Sequence, residues 1–543
     1  MEALSYSHGA SGVPLLGETI GANLERTVGR FPDRDALISR HQGLLYTYAE
    51  LGGLVDRLAG GLIALGLQPG DRLGIWSPNC AEWVMVQYAT AKAGVILVNV
   101  NPAYRTSELQ YALEQSGCRA LISAPAFKTS DYSAMIEAVR GDLPDLEHVI
   151  FLGSREWDDL LSAGAANEEE VARRAAELQF DDAINIQYTS GTTGFPKGAT
   201  LSHHNILNNG FFIGEYCRYS EQDRVCIPVP FYHCFGMVLG NLAVTTHGGA
   251  IVIPEAAFEP RACLETVEEE RCTSLYGVPT MFIAELQHPD FNQFDLSSLR
   301  TGIMAGSPCP VEVMKQVVSA MHMEEVTICY GMTETSPVST QTGGGDSLDK
   351  RVSTVGRVHP HVEIKITDPA TGRVLPRGKP GELCTRGYSV MLGYWDDPDR
   401  TAEVLDAGRW MHTGDLATMD EEGYVNIVGR IKDMIIRGGE NVYPREIEEF
   451  LYTHPQIADV QVIGVPDERY GEEIMACVLL KEGSEVTEED IREFCRESIA
   501  HFKVPRYVKF VDEFPMTITG KIQKFKMREA AVEELGLKEL ETA

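Results

Sequence analysis

The chain has 543 residues, more than one hydrophobic core supports, so several structural units are expected. Its 44% hydrophobic and 23% charged residues are typical of a folded globular protein and exclude a disordered chain or a fibre. The formal net charge of -32 would repel a phosphate backbone and an anionic bilayer, so nucleic acid is not expected as a partner.

Cysteine usage and hydropathy indicate the compartment. The 12 cysteines are scattered without a C-x-x-C pair, which favours a reduced intracellular setting with neither disulfides nor structural zinc. No apolar run approaches the roughly 18 residues that span a bilayer, and residues 1–20 carry no targeting pattern. We therefore expect a cytoplasmic protein without a membrane span, or a mitochondrial matrix protein if a transit peptide has been removed. The sequence makes no prediction about the oligomeric state.

In chain order, the first part alternates helix and strand patterns. Apolar residues at helical spacing from Leu51 to Leu67 end before Pro69-Gly70, and a strand pattern follows at 72–76. The same order recurs at 81–102, which predicts crossover units of mostly parallel sheets up to about residue 340. A helix at 167–178 is predicted to be an exposed surface element without a function.

The pattern changes after a glycine cluster at 343–345. Short strands with frequent turns predict a small β-rich, barrel-like subdomain at about 350–428. Beyond it, Pro444 begins a helix with Ile447 and Leu451 inward, and Thr487 caps another. The predicted fold class is α/β. A large N-terminal domain, 1–430, holds two α/β sheet subdomains and the small β-rich one, and a mobile α+β C-terminal domain covers 431–543.

The stretch YTSGTTGFPKG at 188–198 points to an anion. Residues 183–188 alternate apolar and polar side chains, which predicts a half-buried strand that places the loop at a sheet edge. The glycine N–H groups, the hydroxyls and Lys197 together are typical of a polyphosphate cradle. The order of residues differs from the nucleotide P-loop, so GTPase or kinase-type switching loses its support. Taken alone, the loop is also compatible with a flexible turn of small residues.

The loop resembles the signature of the acyl-adenylate-forming superfamily, which includes acyl-CoA synthetases, luciferases and peptide-synthetase adenylation domains. The resemblance implies that the loop holds the β- and γ-phosphates of ATP through Thr189, Ser190, Gly191, Thr192, Thr193, Gly194 and Lys197. Residues 330–335, YGMTET, resemble the second nucleotide motif, in which Tyr330 stacks on adenine, Thr333 contacts the α-phosphate and Glu334 holds Mg²⁺. Read alone, that stretch is an ordinary turn.

Further motifs follow in the family's order. Residues 413–415, TGD, match the ribose motif, in which Asp415 accepts from the two hydroxyls, and Arg430 in GRIKD also reaches the ribose and phosphate. Lys432 stands at the family's hinge position, and Gly438 and Gly439 lie in the stretch that meets coenzyme A. Alone, an Asp after a Gly is typical of a turn, and an Arg near an Asp is a surface ion pair.

The last motif, PMTITGKI at 515–522, places Lys521 where the family has the lysine of the first half-reaction. A single lysine near a chain end is usually a solvated charge. The other motifs, in family order from residue 188 onward, overturn that interpretation. Lys521 also lies in a locally basic stretch, 503–528, which suits the anionic ligands ATP, pyrophosphate and coenzyme A.

The resemblance implies a reaction in two steps. A substrate carboxylate and ATP repel each other, so Mg²⁺ on Glu334 and the charge of Lys521 would neutralise the approach, and no protein nucleophile is required. In the second step the thiol of coenzyme A attacks the acyl-adenylate from a direction that Lys521 would obstruct. The C-terminal domain therefore rotates about the hinge between the steps.

The acyl substrate is less well specified. Residues 230–236, PFYHCFG, lack the carboxylate with which peptide-synthetase domains bind an amino group, so an amino acid is disfavoured. Gly331 stands where acetyl-CoA synthetases have a tryptophan, which favours a longer acyl chain, with His233 near its carboxylate end or simply packed in the core. Runs such as GELCTRGYSVMLGYW look like the medium-chain fatty acid ligases of the family. A ligase for an aryl or branched acid, a carrier-protein loader and a non-catalytic binding module stay open as alternatives.

Overall fold

The computed structural model describes residues 3–189, 196–307, 309–437, 440–467, 469–499, 501–517 and 522–537. The strands are β1 (Tyr6–His8), β2 (Asp35–Ser39), β3 (Leu44–Thr47), β4 (Arg72–Trp76), β5 (Ile96–Asn99), β6 (Cys118–Ser123), β7 (Ala126–Phe127), β8 (Ser130–Asp131), β9 (His148–Phe151), β10 (Ala183–Thr189), β11 (Lys197–Ser202), β12 (Arg224–Cys226), β13 (Ala250–Ile253), β14 (Ser274–Gly277), β15 (Thr301–Ala305), β16 (Glu325–Gly331), β17 (Val338–Gln341), β18 (Arg357–Val358), β19 (Val362–Thr367), β20 (Gly381–Gly387), β21 (Gly393–Tyr394), β22 (Met411–Met419), β23 (Val425–Arg430), β24 (Ile435–Arg437), β25 (Glu440–Val442), β26 (Ile457–Asp467), β27 (Gly471–Leu480) and β28 (Tyr507–Phe510).

The helices are α1 (Ile20–Arg30), α2 (Tyr48–Ala64), α3 (Ala81–Ala93), α4 (Thr106–Ser116), α5 (Tyr132–Arg140), α6 (Arg155–Gly164), α7 (Glu168–Glu177), α8 (His203–Cys217), α9 (Ala243–Thr246), α10 (Pro260–Glu270), α11 (Pro279–Leu286), α12 (Val311–Ala320), α13 (Leu348–Ser353), α14 (Pro398–Val404), α15 (Pro444–Leu451), α16 (Glu488–Ser498) and α17 (Lys524–Leu535). A π-helical segment, Phe235–Leu242, leads into α9. None of these helices is long and apolar enough to cross a bilayer.

Two large sheets form the N-terminal part. The first has seven strands in the order β21-β11-β10-β5-β4-β6-β9, and the second has nine in the order β18-β17-β16-β15-β14-β12-β13-β2-β3. Parallel pairs occupy the centre of both sheets. Antiparallel strands lie at both margins of the nine-stranded sheet and at the β21 margin of the seven-stranded sheet, whose other edge strand, β9, is parallel to β6. The alternation of helix and strand in the sequence predicted this α/β architecture, and the prediction is confirmed.

Helix α2 shows how local chemistry sets its bounds. The helix begins three residues before the predicted start because Thr47 and Glu50 form a reciprocal capping box. It ends at Ala64, and Gly66 takes a positive φ of 86° just beyond. The apolar face, Leu51, Val55, Leu58 and Leu62, is buried as its spacing predicted.

Helix α7 corrects the predicted surface role of residues 167–178. It packs against α2 and α3, with Val171 buried. The Arg174 side chain is also buried, and its Nη1 donates to the carbonyl of Leu67 at 2.7 Å. The prediction of an exposed helix is correct for most of its residues but wrong for Val171 and Arg174, because the acidic composition gives no sign of this inward face.

The β-rich part of the chain builds a separate antiparallel sheet of five strands, β1-β19-β20-β22-β23. Its first strand comes from the far N-terminus, and Tyr6 pairs with Lys365 in register. The Tyr6 hydroxyl donates to Glu363 at 2.7 Å. The sequence did not predict this pairing, since a three-residue strand carries too short a pattern.

The C-terminal part has its own sheet, in which β25-β24-β27-β26 pair in that order and β28 adds to β27. Helix α15 begins at Pro444 and buries Ile447 and Leu451, and α16 follows a capping box at Thr487, as predicted. The bulk of this sheet has a hydrophobic core of its own. The division of the chain between residues 430 and 431 stays a prediction.

One carboxyl lies inside the core of the nine-stranded sheet region. Glu285 on α11 is 1% exposed, and among the described residues neither of its oxygens has a well-formed hydrogen bond. Burial raises the pKa of Glu285 well above its ordinary value, and the Cys263 thiol is the polar group beside it. The neutral acid is therefore the form that the fold accommodates.

Candidate active site

The glycine-rich stretch joins two antiparallel strands. Thr189 at the end of β10 pairs with Lys197 at the start of β11. Strand β10 lies between β5 and β11 within the seven-stranded sheet, and the loop follows its last residue. It is also more than half buried, because Asn185 and Gln187 form hydrogen bonds in the interior. The predicted phosphate residues Ser190, Gly191, Thr192, Thr193 and Gly194 lie outside the described residues.

Lys197 and Glu334 share a tyrosine. Strand β21 pairs with β11 and brings Tyr394 opposite Ala199. The Lys197 ammonium lies 5.0 Å from the centroid of the Tyr394 ring, and the Tyr394 hydroxyl donates to Oε1 of Glu334 at 2.8 Å. The predicted phosphate lysine and the predicted metal carboxylate are thus connected through one side chain.

Glu334 is held in a buried 3₁₀ turn, Thr333–Thr335, directly after β16. Glu334 is only 6% exposed, and its backbone carbonyl accepts from the backbone N–H of Met391. Thr333 is buried in the same turn. A carboxylate in this position offers hard oxygen ligands, which is the chemistry that Mg²⁺ prefers.

The loop that contains His233 lies next to the 3₁₀ turn of Glu334. The Cys234 thiol donates to Gln187 at 3.2 Å, and burial, with the charge of Glu334 adding to it, raises the pKa of Cys234 to about 12. Nδ1 of His233 accepts from the backbone N–H of Phe235 at 3.1 Å. The predicted substrate loop and the 3₁₀ turn are therefore neighbours.

Tyr330, Asp415 and Arg430 form a second group. The Tyr330 hydroxyl donates to Oδ2 of Asp415 at 2.7 Å, and Nε of Arg430 lies 3.1 Å from Oδ1. Burial raises the pKa of Tyr330 well above its ordinary value, and the Asp415 charge adds to the effect. The three side chains that the motifs assign to adenine, ribose and phosphate are thus in mutual contact.

Asp415 is presented by an irregularity in β22. Between the pairs Glu382–Leu416 and Cys384–His412 the register shifts, so β22 carries extra residues and the TGD motif bulges. Gly414 takes a φ of 71° there. Its N–H donates to Oε1 of Glu382 at 3.1 Å, and the Thr413 hydroxyl donates to the carbonyl of Leu383. The glycine and its acidic partner fix the shape of the bulge.

Gly331 ends β16 in a tight place. A Cβ at this position would lie 1.6 Å from the carbonyl oxygen of Pro337. In this chain the backbone therefore has room only for glycine at residue 331. The identity of this residue alone is weaker support for a long acyl pocket than the sequence comparison with acetyl-CoA synthetases implied.

The remaining predicted residues belong to the C-terminal side. Lys432 lies in an exposed turn between β23 and β24, a position compatible with a hinge. The predicted coenzyme A residues Gly438 and Gly439 and the predicted catalytic Lys521 lie outside the described residues. Their roles stay predictions.

The structure therefore brings two groups together through residues 330–334. One group is Lys197, Tyr394 and Glu334, and the other is Tyr330, Asp415 and Arg430. The sequence missed Tyr394 and Glu382 as site residues. Both stand in the run GELCTRGYSVMLGYW, whose likeness to the family was the available signal. Such a row of polar side chains suits a nucleotide with its sugar at one end and its phosphates at the other.

Comparison with known proteins agrees with this arrangement. Residues 24–395 match the AMP-binding enzyme family, and residues 446–521 match the AMP-binding enzyme C-terminal domain. The chain belongs to the AMP-binding enzyme family. The predicted class, an acyl-CoA synthetase of the AMP-forming type, is confirmed.

Individual relatives are similar over nearly the whole chain. A Bacillus subtilis protein named as an acyl-CoA synthetase, YngI, is 50% identical, with 96% of this chain and 99% of the relative covered. The mitochondrial medium-chain acyl-CoA ligase ACSF2 is 48% identical in Danio rerio and 44% in Homo sapiens, with 98% of this chain and 91% of each relative covered. These similarities confirm the resemblance on which the sequence analysis relied.

Solved structures share the fold. The anthranilate CoA ligase AuaEII in complex with anthranoyl-AMP has a TM-score of 0.88 at 29% identity, covering 97% of this chain and 99% of that one. ATP-bound MatB from Rhodopseudomonas palustris has a TM-score of 0.84 at 31% identity, covering 95% and 99%. The predicted fold class, a large N-terminal domain followed by a smaller C-terminal one, is confirmed.

Proposed function

We propose that this protein joins a medium-chain fatty acid to coenzyme A through an acyl-adenylate, with ATP and Mg²⁺, and releases AMP and pyrophosphate. The observation that carries the proposal is the pair of groups joined by residues 330–334, with Asp415 in one group and Glu334 and Lys197 in the other. The relatives named as medium-chain acyl-CoA ligases support the acyl class. The cytoplasm is the proposed compartment.

The sugar end is assigned to Asp415. Its carboxylate accepts from the two ribose hydroxyls, while Tyr330 and Arg430 keep it oriented. Arg430 adds a positive charge beside the phosphates, which lowers the cost of bringing a second anion near them. The Asp415 side chain is mostly buried and held by these two partners, so it is oriented before the nucleotide arrives.

The phosphate end is assigned to Lys197, the loop before it, and Glu334. The Glu334 carboxylate would hold Mg²⁺, which would supply positive charge to neutralise the departing pyrophosphate. Tyr394 keeps that carboxylate in place. Lys521 would neutralise the α-phosphate and the substrate carboxylate, and it would withdraw with the C-terminal domain before the thiol attacks.

The test is a substrate panel assayed for ATP-dependent thioester formation, from acetate to stearate and including benzoate and branched acids. We expect the highest kcat/KM for acids of intermediate length. A preference for aryl or branched acids would replace the acyl part of the proposal. Absence of acid-dependent pyrophosphate release with every acid would overturn the ligase function itself.

A further inference from the structure

The small antiparallel sheet carries a cluster of metal-binding side chains. Glu382 and Cys384 stand two residues apart on β20, and His412 stands on β22 as the direct cross-strand partner of Cys384. One ligand atom of each lies within 4.8 Å of the others. The cysteine is fully buried, and the histidine side chain is 33% exposed, so the cluster opens to solvent on one side.

Two of the three ligand spacings are close to those of a tetrahedral ion. Nδ1 of His412 lies 3.6 Å from Sγ of Cys384 and 2.9 Å from Oε2 of Glu382. Tetrahedral zinc, with its nitrogen and sulfur ligands at about 2.0 and 2.3 Å, separates those two atoms by about 3.5 Å, and it separates nitrogen from oxygen by about 3.3 Å. The nitrogen–sulfur pair already has the required spacing, and the nitrogen–oxygen pair has to widen by roughly 0.4 Å. The sulfur and the carboxylate oxygen lie within 4.8 Å of each other, so the carboxylate is the ligand that adjusts on binding.

Surrounding groups support each ligand. Oε1 of Glu382 accepts from the N–H of Gly414, and the Thr367 hydroxyl lies 3.6 Å from the Cys384 sulfur. Nε2 of His412 faces Oδ2 of Asp406 at 3.9 Å. A histidine that ligates through one nitrogen usually turns the other toward a carboxylate, which fixes the ring.

We propose that Glu382, Cys384 and His412 form a site for a thiophilic divalent cation of the zinc class, with a fourth position open to solvent. The thiolate and the carboxylate balance the two positive charges of the ion. Hard cations such as Mg²⁺ are disfavoured because sulfur and imidazole are soft to borderline ligands. The cysteine and histidine are 28 positions apart in sequence, which is why cysteine spacing alone predicted no zinc.

Binding releases protons. The thiol of Cys384 gives up its proton to become the ligand, and Nδ1 of His412 must be unprotonated, so its N–H proton leaves or moves to Nε2. The affinity for zinc is therefore expected to increase as the pH rises.

The experiment measures zinc binding to the full chain by competition with a chromophoric chelator, and cobalt binding by the thiolate charge-transfer absorbance. We expect one tight ion per chain in the wild type. Loss of a group that only supports a metal ligand typically weakens binding by about 10- to 100-fold. Cys384→Ala and His412→Asn should each weaken zinc binding by more than that, and Cys384→Ala should also abolish the cobalt–thiolate band.

Cys477→Ala is the matched control. Cys477 is also a buried free cysteine whose pKa burial raises to about 11, but it faces Lys509 and Lys524. This variant should bind zinc as the wild type does. His412→Asn alters a partly exposed residue and gives a folded comparison if Cys384→Ala proves unstable. The absence of tight zinc binding in the wild type, or equal affinity in His412→Asn, overturns the proposal.

Discussion

Tyr394 provides a sharp test of the proposed phosphate end. Its hydroxyl donates to Glu334, and its ring lies beneath the Lys197 ammonium. Tyr394→Phe removes the hydroxyl and keeps the ring, whereas Tyr394→Leu removes both. We expect the first variant to need more Mg²⁺ for adenylation, because the carboxylate proposed to hold the ion is no longer oriented.

The size of the effect follows from the contact. A hydrogen bond to a charged group contributes about 1.5–3 kcal/mol, which corresponds to a loss of roughly 10- to 150-fold in kcat/KM for the metal–nucleotide. The cation–π contact between Tyr394 and Lys197 is worth a further ~0.5–1 kcal/mol at a partly exposed site, so Tyr394→Leu should be several-fold worse.

The assay separates the half-reactions. Pyrophosphate release is measured against Mg²⁺ concentration, and thioester formation is measured from supplied acyl-adenylate and coenzyme A. The rate of adenylation should fall at ordinary Mg²⁺ concentrations and recover at high Mg²⁺. Thioester formation should stay close to wild type because it uses no triphosphate. Equal loss of both half-reactions, or an unchanged Mg²⁺ dependence, would contradict the role assigned to Tyr394.

Tyr424→Phe is the matched control. The Tyr424 hydroxyl donates to Asp346 at 2.6 Å, and Lys350 and Arg357 lie over its ring at 4.5 and 4.8 Å. It therefore has the same kind of partners in a part of the fold with no proposed ligand. Loss of the Tyr424 hydroxyl should leave the Mg²⁺ dependence of adenylation unchanged even if the free energy of unfolding falls.

Three further predictions concern other parts of the chain. Lys521→Ala should abolish adenylation and spare thioester formation from supplied acyl-adenylate. Lys526→Ala, a change at an exposed neighbour, should spare both half-reactions. Loss of both half-reactions in a folded Lys521→Ala variant would contradict the role of Lys521 in adenylation. Because the folded-state pKa of Glu285 is raised, its proton contributes stability that is full below the ordinary carboxyl pKa and falls by about 1.4 kcal/mol per pH unit above it. Glu285→Gln should therefore flatten the decline of the unfolding free energy with pH above the ordinary carboxyl pKa, measured by urea denaturation, and an unchanged slope would argue against a buried neutral acid. Gly331→Ala should lower the melting temperature because of its backbone clash, while Gly345→Ala, with open space around its Cβ, should not; a folded Gly331→Ala that changes only acyl-chain preference would restore the pocket interpretation.

The sequence predicted elements whose chemistry is local. Pro444 with Ile447 and Leu451 defined the start and inward face of α15, and Thr487 defined the start of α16. These signals lie within a few residues of the features that they determine. Such local signals do not predict contacts between residues that are far apart in the sequence.

Glu382 illustrates the limit. It supports Gly414 from the neighbouring strand, and the contact depends on the register shift in β22. A shift of register leaves no trace in the hydrophobic pattern of either strand. Strand β10 shows the same limit in another form, since Asn185 and Gln187 looked solvent-facing and proved to be buried through hydrogen bonds to distant residues.

The pairing of β1 with β19 has a consequence for synthesis on the ribosome. Tyr6 leaves the ribosome first, yet its partner Lys365 is made roughly 360 residues later, a delay of about 20 to 70 s at typical elongation rates. During that interval the first strand has no sheet to join. The N-terminal segment is therefore available to chaperones or to premature pairing with other strands. A bulky fusion before Tyr6 would hinder completion of the small sheet, although Tyr6 is far in sequence from the predicted nucleotide residues.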